Sequence, residues 1–361
     1  MEYYHPRYSS GKRKKRSKFS RFLLYILLIL IIAALIVAYQ LYKVILKPNT
    51  WVKDDQTTSV YIPTGSSYED LKTILYEKGI VINRNNFEWL AKKKNLPKNI
   101  HPGRYMVKDG MSNDELINLL RSGEQTPVKI IFNNIRTKEE FAKKIAAQIE
   151  PDSADIIRLI NDSSYIKIFG FTPETILTLF IPNTYEVYWN ITAENFIDRM
   201  YTEHNKFWNT KRRQKAEQVG LEPVEVSILA SIVEKETGKD DEKPTIAGVY
   251  FNRMKYGWRL QADPTIIYAW GDFNIKRVLN LHKRIDSPYN TYVYYGLPPG
   301  PICVPSISSI DAVLNREDHS YLFFCAKDDF SGYHVFANTN AQHIVNANKY
   351  RKALDERNIK K

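Results

Sequence analysis

Residues 22–42 form a run of 21 amino acids without a charged side chain, dominated by Leu, Ile and Ala. As a helix, this run would span about 30 Å, the thickness of the hydrocarbon core of a bilayer. A buried core helix or a cleaved signal peptide would give a related pattern. The run is too long for the apolar part of a signal peptide, however, and no small-residue cleavage site follows it. We therefore predict a single transmembrane helix.

Basic residues are concentrated on the N-terminal side of this helix. Residues 1–21 contain eight Lys and Arg residues and one acidic residue, and so carry +7 of the formal net charge of +12. The positive-inside rule predicts a cytoplasmic N-terminus in the cell (inner) membrane, with everything after Lys43 on the extracytoplasmic or periplasmic side. The other 340 residues carry only +5 and show no arginine-rich stripe. Nucleic-acid binding is therefore not expected.

The remainder of the chain alternates between strand-like and helix-like patterns, which predicts an α+β fold. Residues 45–58 are polar and contain Pro48, a composition typical of a short stalk. Glycine-rich turns and changes of period then mark further boundaries. The predicted segments are a basic tail (1–21), a transmembrane helix (22–44), a stalk (45–58), a small α+β module (59–124), a connecting α+β region (125–215), a larger α+β domain (216–350) and a C-terminal tail (351–361).

The small module contains two strand-turn-helix units with the same helix-capping pattern. Residues 59–63 predict a strand, and Ser67 begins a capping sequence that leads into a helix. Residues 104–107 predict a second strand, and Ser112 begins a second capping sequence. Such a unit resembles LysM-like modules, which bind glycan chains. Capped strand-helix units are also common building blocks, so both interpretations stay open at this point.

A helix over residues 226–238 carries two glutamates, Glu234 and Glu236, which are too close in sequence to share a helix face. Glu236 continues the apolar stripe, whereas Glu234 lies on the face that carries Ser and Ala. Partial burial and the negative end of the helix dipole would both raise the pKa of Glu236, as a general acid requires. The alternative is a solvent-exposed helix end paired with Lys235 or Lys239.

Polar and aromatic side chains are dense between residues 252 and 300, a mixture typical of sugar-binding sites. Asp263 lies in this run and would be a second carboxylate for a conventional glycosidase. The sequence contains no His-x-x-x-His, Cys-x-x-Cys, phosphate-binding loop or nucleophile-elbow serine, so neither a metal nor another cofactor is expected. Cys303 and Cys325 are interpreted as buried free thiols, although the sequence leaves a disulfide open.

Four motifs together resemble the MltG (YceG-like) endolytic murein transglycosylase family, and the resemblance extends from about residue 59 to 349. The motifs are Leu-Ala-Ser-Ile-Val-Glu-Lys-Glu-Thr (229–237), Leu-Gln-Ala-Asp-Pro-Thr (260–265), Tyr-Asn-Thr-Tyr (289–292) and Gly-Leu-Pro-Pro-Gly (296–300). The family has Thr at the position of Ala262 and Asp at that of Asn183. The resemblance implies that the second glutamate of Glu-Lys-Glu, here Glu236, is catalytic.

The resemblance also implies a peptidoglycan lytic transglycosylase, a lyase that acts on polysaccharides. It would cut nascent glycan strands between N-acetylmuramic acid and N-acetylglucosamine, leave 1,6-anhydro ends and thereby terminate elongation, with peptidoglycan synthases as proposed partners. Two alternatives stay open, a non-catalytic glycan-binding scaffold and a hydrolase that uses Glu236 with Asp263. Glu234 is expected to support Glu236. The residues expected to position the sugars or to hold Glu236 are Gln261, Asp263, Thr265, Tyr289, Asn290 and Asn338.

Overall fold

Helix α1, Lys18–Ile45, is apolar and has no buried side chains along its length. The computed structural model describes residues 1–2, 18–53 and 56–357. Within these residues, α1 is the one helix that is long and apolar enough to cross a membrane. Most of the predicted basic tail (1–21), and the last four residues of the C-terminal tail, lie outside the described residues.

The chain divides into two compact units, Met1–Thr126 and Pro127–Lys361. In the first, two antiparallel strands pair in a register that places Val60 opposite Tyr105, and both side chains are fully buried. The predicted capping sequences are present, because Ser67 and Ser112 each form a reciprocal capping box at a helix start. Both strand-turn-helix units are therefore confirmed. The elements after α1 are β1 (Thr57–Ile62), α2 (Tyr68–Glu77), α3 (Arg84–Lys93), β2 (Gly103–Lys108) and α4 (Asn113–Ser122).

The first part of the predicted stalk is folded against this unit. Asn49 is buried, and its side-chain amide donates to the Asn113 Oδ1 at 2.6 Å. Asn113 in turn donates to the carbonyl oxygen of Val44, in the last turn of α1, at 2.8 Å. Buried amides need such partners, which ties the end of α1 to the module. The start of the predicted stalk is therefore part of the folded unit; residues 54–55 lie outside the described part.

The second unit is mainly helical and contains two short antiparallel sheets, β3 with β4 and β5 with β6. The domain boundary predicted near residue 215 falls within this unit. Its elements are β3 (Val128–Ile131), α5 (Lys138–Ala146), α6 (Ser153–Asn161), α7 (Ser163–Lys167), β4 (Thr184–Val187), α8 (Ala193–Phe207), α9 (Thr210–Gln218), α10 (Pro223–Glu236), α11 (Lys243–Lys255), α12 (Asp263–Trp270), α13 (Ile307–Leu314), β5 (Phe323–Ala326), β6 (His334–Ala337) and α14 (Asn340–Glu356).

Helix α10 runs through one of the two hydrophobic cores of this unit. Every residue from 226 to 233 is buried, and the helix packs against α11 and α13. The helix ends at Glu236, because Thr237 is extended (φ −143°, ψ 143°). The helix is thus two residues shorter at this end than the predicted 226–238. The last turn of α10 therefore emerges from the core and presents its two glutamates at the core boundary.

Candidate active site

The end of α10 borders a cavity of about 390 Å³ in the second unit. Its walls come from α10, α11, the start of α12, the segment after it, β5 and the start of α14. Two carboxylates, two tyrosines and a buried arginine are among the side chains that face it. The lining residues are Glu236, Tyr250, Arg253, Gln261, Asp263, Tyr292, Phe323, Phe324, Asn340 and His343.

Glu236 is the last residue of α10, and its Oε1 accepts a hydrogen bond from the Tyr250 hydroxyl of α11. Burial raises the pKa of Glu236 to about 7. The Tyr250 hydrogen bond and the positive charge of Arg253 oppose this rise, and the negative charge of Asp263 adds to it. A carboxyl group with this pKa exchanges its proton near neutral pH, as an acid that later becomes a base must do.

The second carboxylate of the cavity, Asp263, is held in the same manner. The Tyr292 hydroxyl donates to the Asp263 Oδ1 at 2.5 Å. Burial raises the pKa of Tyr250 and of Tyr292 far above the ordinary tyrosine value, and the neighbouring carboxylates raise both further. Both phenols are therefore protonated donors at neutral pH. Each carboxylate of the cavity consequently has a phenol fixed on one of its oxygens.

Arg253 supplies the positive charge of the cavity and also holds its walls together. Its guanidinium is buried and donates from Nε to the carbonyl oxygen of Leu322, just before β5, at 2.8 Å. The Nη1 of the same guanidinium donates to the carbonyl oxygen of Leu260, before α12. Two wall segments are thus fixed to α11 by one side chain. Burying this charge is tolerable because backbone carbonyls solvate it.

Gln261 lines the cavity, and its backbone has the left-handed conformation (φ +50°). Its N–H donates to the carbonyl oxygen of Thr291 at 3.0 Å. Thr265 is fully buried, and its hydroxyl bonds both the Ala262 carbonyl oxygen and the Thr291 hydroxyl at 2.8 Å. Thr265 therefore has no exposed surface in the cavity; it joins the segments that hold Gln261 and Asp263.

Asn290 is also fully buried, and its amide donates to the carbonyl oxygens of Lys283 and Ile285. Asn290 therefore has no exposed surface in the cavity and shapes the loop that precedes it. Tyr289 packs on Tyr268 with ring centroids 4.8 Å apart and is not among the cavity-lining residues.

Asn338 is exposed and does not line the cavity. Asn340 and His343, at the start of α14, take that position instead.

Glu234 lies in a separate polar cluster between α10 and the start of α13. Its Oε2 accepts hydrogen bonds from the hydroxyls of Ser306 and Ser309 and from the Lys243 ammonium, the last at 3.2 Å. Burial opposes its ionisation, but these three donors outweigh burial and lower the pKa of Glu234. It is a stable anion that fastens α13 to α10, and not a hydrogen-bond partner of Glu236.

Five lining residues were missed at the sequence level, namely Tyr250, Phe323, Phe324, Asn340 and His343. Tyr250 faces Glu236 only because α11 packs back on α10, and no local pattern signals that pairing. Arg253 and Tyr292 belonged to the polar and aromatic run but were not selected as site residues. Choosing Tyr292 over Asn290 would have needed knowledge of which side of the Tyr-Asn-Thr-Tyr turn is buried.

The potential metal ligands do not cluster, and the two cysteines are not paired with each other in the described residues. Among residues 1–2, 18–53 and 56–357, no group of three or more His, Cys, Asp or Glu side chains is arranged to hold a metal ion. Both cysteines are free: Cys303 is buried, and Cys325 is partly exposed. Burial raises the pKa of Cys303 to about 12, so it is an unreactive thiol at neutral pH.

The chain belongs to the YceG-like family, whose model matches residues 60–349. A protein named "Endolytic murein transglycosylase" from Bacillus subtilis (strain 168) is 30% identical over 338 residues, covering 89% of this chain and 92% of that protein. A protein of the same name from Streptococcus pneumoniae serotype 2 is 26% identical over 322 residues, which covers 80% of this chain and 57% of that protein. A crystal structure of a yceG-like protein from Listeria monocytogenes superposes with a TM-score of 0.54 and 29% identity, covering 80% of this chain and 98% of that one.

Proposed function

We propose that this protein is an endolytic murein transglycosylase whose acid and base is Glu236. The observation that carries the proposal is a carboxyl group with a pKa of about 7, in a cavity and hydrogen-bonded to Tyr250. The relatives named as murein transglycosylases give the substrate class, the glycan strands of peptidoglycan. The reaction is a lytic cut rather than a hydrolysis.

The cut requires one group that first donates and then accepts a proton. Protonated Glu236 gives its proton to the oxygen that bridges N-acetylmuramic acid and N-acetylglucosamine, and the bond from that oxygen to the muramic acid C1 breaks. The muramic acid C6 hydroxyl then bonds to C1, and the Glu236 carboxylate takes the hydroxyl proton. A 1,6-anhydro ring forms, Glu236 is again protonated, and no water is consumed.

The neighbours of Glu236 suit both halves of this cycle. Burial raises the protonated fraction of Glu236 near neutral pH, and the Tyr250 hydroxyl stabilises the carboxylate once the proton has left. Asp263 and Gln261 line the same cavity and are proposed to position the sugars, with Tyr292 fixing the Asp263 carboxylate. Thr265 and Asn290 act one step further away, by holding the loops that carry these groups.

Replacing Glu236 by Gln tests the proposal directly. Gln is close in shape but cannot donate the proton, so release of anhydro-ended fragments from purified glycan strands should fall at least about 100-fold. Glu217→Gln is the matched control, because Glu217 is exposed on α9 and does not line the cavity. The control should cleave at the wild-type rate. Wild-type cleavage by Glu236→Gln would refute the assignment of Glu236.

The two alternatives give different results in the same experiment. A hydrolase that uses Glu236 with Asp263 would leave reducing ends, heavier than anhydro ends by the mass of one water, which mass spectrometry resolves. A non-catalytic scaffold would retain glycan in a pull-down and release no fragments with any variant. The names of the relatives do not favour the scaffold.

The first unit is proposed to hold the enzyme at the membrane and to bind glycan. Helix α1 would be the single-pass anchor, with the catalytic unit outside the inner membrane. In the β1–β2 unit, two helices follow the first strand in sequence and precede the second, and the two strands pair antiparallel. This order supports a LysM-like, glycan-binding assignment.

Peptidoglycan synthases are proposed partners because their nascent strands are the substrate. Failure of any synthase to co-purify after crosslinking in cells would count against that partnership.

A further inference from the structure

Trp258 extends the cavity wall by one aromatic ring. Its indole lies edge to face with the ring of Phe323, a cavity-lining residue, with centroids 5.8 Å apart and planes at 69°. Phe323 itself is engaged, because the His343 ring stacks on it at 5.3 Å and the Arg253 guanidinium lies 5.6 Å from its centroid. Trp258, by contrast, is 43% exposed. It is thus the outermost ring of a row that begins in the cavity.

The backbone holds Trp258 firmly at the end of α11. Gly257 is left-handed (φ +67°), its N–H donates to the Met254 carbonyl, and the Trp258 N–H donates to the Arg253 carbonyl at 2.7 Å. These two bonds form a Schellman motif, which terminates a helix in one fixed geometry. The residue that anchors Trp258 is therefore the same Arg253 whose side chain faces the cavity. Because the backbone is already fixed, holding the indole ring beside the site costs little further conformational entropy.

We propose that the exposed face of Trp258 is a subsite that stacks on a sugar ring of the bound glycan, beyond the bond that is cut. The inference rests on the proposed function, because an endolytic cut leaves sugars on both sides of the scissile bond and the strand must continue out of the cavity. Aromatic faces cover the apolar C–H surface of sugar rings, and a rigid indole suits this role. The row from the cavity through Phe323 to Trp258 gives the strand its path.

The kinetics of full-length protein in detergent test the subsite on peptide-free glycan strands separated by length. Trp258→Ala should raise KM about twofold to tenfold for long strands with little change in kcat. The shortest cleavable strands, which end before this ring, should be less affected. Trp258→Phe retains an aromatic face and should recover most of the loss. Trp270→Ala is the matched control, since Trp270 is also 43% exposed and does not line the cavity; its KM should be that of wild type.

Binding without cleavage separates the subsite from the reaction. In a Glu236→Gln background, added Trp258→Ala should weaken retention of long strands by the same twofold to tenfold, whereas added Trp270→Ala should not. Equal KM for wild type and Trp258→Ala at every length would overturn the subsite, as would an equal loss with Trp270→Ala. A wild-type protein that releases no anhydro ends would instead refute the proposed function, while these retention measurements would still decide the subsite.

Discussion

Glu234 and Glu236 are two residues apart on one helix, yet their pKa values move in opposite directions. Burial raises the pKa of both carboxyl groups; it dominates at Glu236, whereas the hydrogen-bonding partners of Glu234 outweigh it. Glu234 accepts hydrogen bonds from two serine hydroxyls and the Lys243 ammonium, which together stabilise its negative charge. Glu236 accepts one hydrogen bond, from the Tyr250 hydroxyl, and lies near the Asp263 carboxylate. One helix end thus carries a permanent anion that fixes the structure and a proton-exchanging group that faces the cavity.

The pH dependence of cleavage should follow the neighbours of Glu236. The protonated form begins the reaction, so the wild-type rate should decline as pH rises through about 7. Tyr250→Phe removes a hydrogen bond that lowers the pKa of Glu236, and the decline should move to higher pH. Asp263→Asn removes a charge that raises this pKa, and the decline should move to lower pH. Cleavage rates of both variants across pH 5–9 measure the shifts, and two shifts of the same sign would contradict this account.

Sequence reasoning selected Glu236 for a reason that the structure revises. Helical phase correctly placed the two glutamates on different faces, but the Ser and Ala face of α10 is as deeply buried as the Leu and Ile face. Burial alone therefore does not separate them. The difference lies in Ser306, Ser309 and Lys243, which come from other parts of the chain and lower the pKa of Glu234 alone. No single-helix pattern contains that information, so the raised pKa was predicted correctly from an incomplete cause.

At the scale of elements, the site depends on close packing around α10. Ser231 leaves room for the 302–304 segment, and its hydroxyl accepts a hydrogen bond from the Ile302 N–H at 3.0 Å. Just before this segment, Gly300 lies against the turn that contains Glu174. A Cβ at Gly300 would be 2.0 Å from the Glu174 carbonyl oxygen and 2.9 Å from the Tyr289 hydroxyl. Glycine is required at this position by contact with neighbouring backbone rather than by a left-handed conformation.

Gly300→Ala should therefore destabilise the second unit. Because the clash is with backbone, the segment must shift, and overpacking of this kind costs about 1–3 kcal/mol. The melting temperature should fall by about 2–10 °C in thermal unfolding of the full-length protein. Gly238→Ala is the matched control, since its Cβ would meet no heavy atom within 4 Å and its φ is not left-handed. Equal melting temperatures for the two variants would show that the contact at Gly300 is easily relieved.

Secondary structure was predictable where local rules are strong. The capping boxes at Ser67 and Ser112 start helices where the sequence indicated, and β1 and β2 lie within two residues of the predicted strands. Strand β4 was missed, because it is four residues long and forms only by pairing with the distant β3. The folded stalk was missed for the same reason: Asn49 is polar in sequence, but its hydrogen-bond partner Asn113 is 64 residues away.

At the scale of the whole molecule, the junction between α1 and the first unit is structured. The Asn113 amide bonds the carbonyl oxygen of Val44 at 2.8 Å and accepts from Asn49, and Thr50 is also buried and bonded to the Met111 backbone. A transmembrane helix that continued into these bonds would hold the first unit at a fixed height above the bilayer. A flexible stalk would instead allow that unit to sample many heights.

Whether α1 is a membrane anchor can be tested on the intact chain in cells. If α1 is a membrane span, the full-length protein should stay in the membrane pellet after an alkaline wash, because extraction would expose its apolar helix to water. Intact mass measurement should then find residues 18–45 still attached. External protease should digest a C-terminal tag in spheroplasts and leave an N-terminal tag intact, since the basic residues favour the cytoplasm. A shorter, soluble chain that lacks this helix would identify it as a cleaved signal sequence, and the hydrogen bond from Asn113 to Val44 would then be absent from the mature protein.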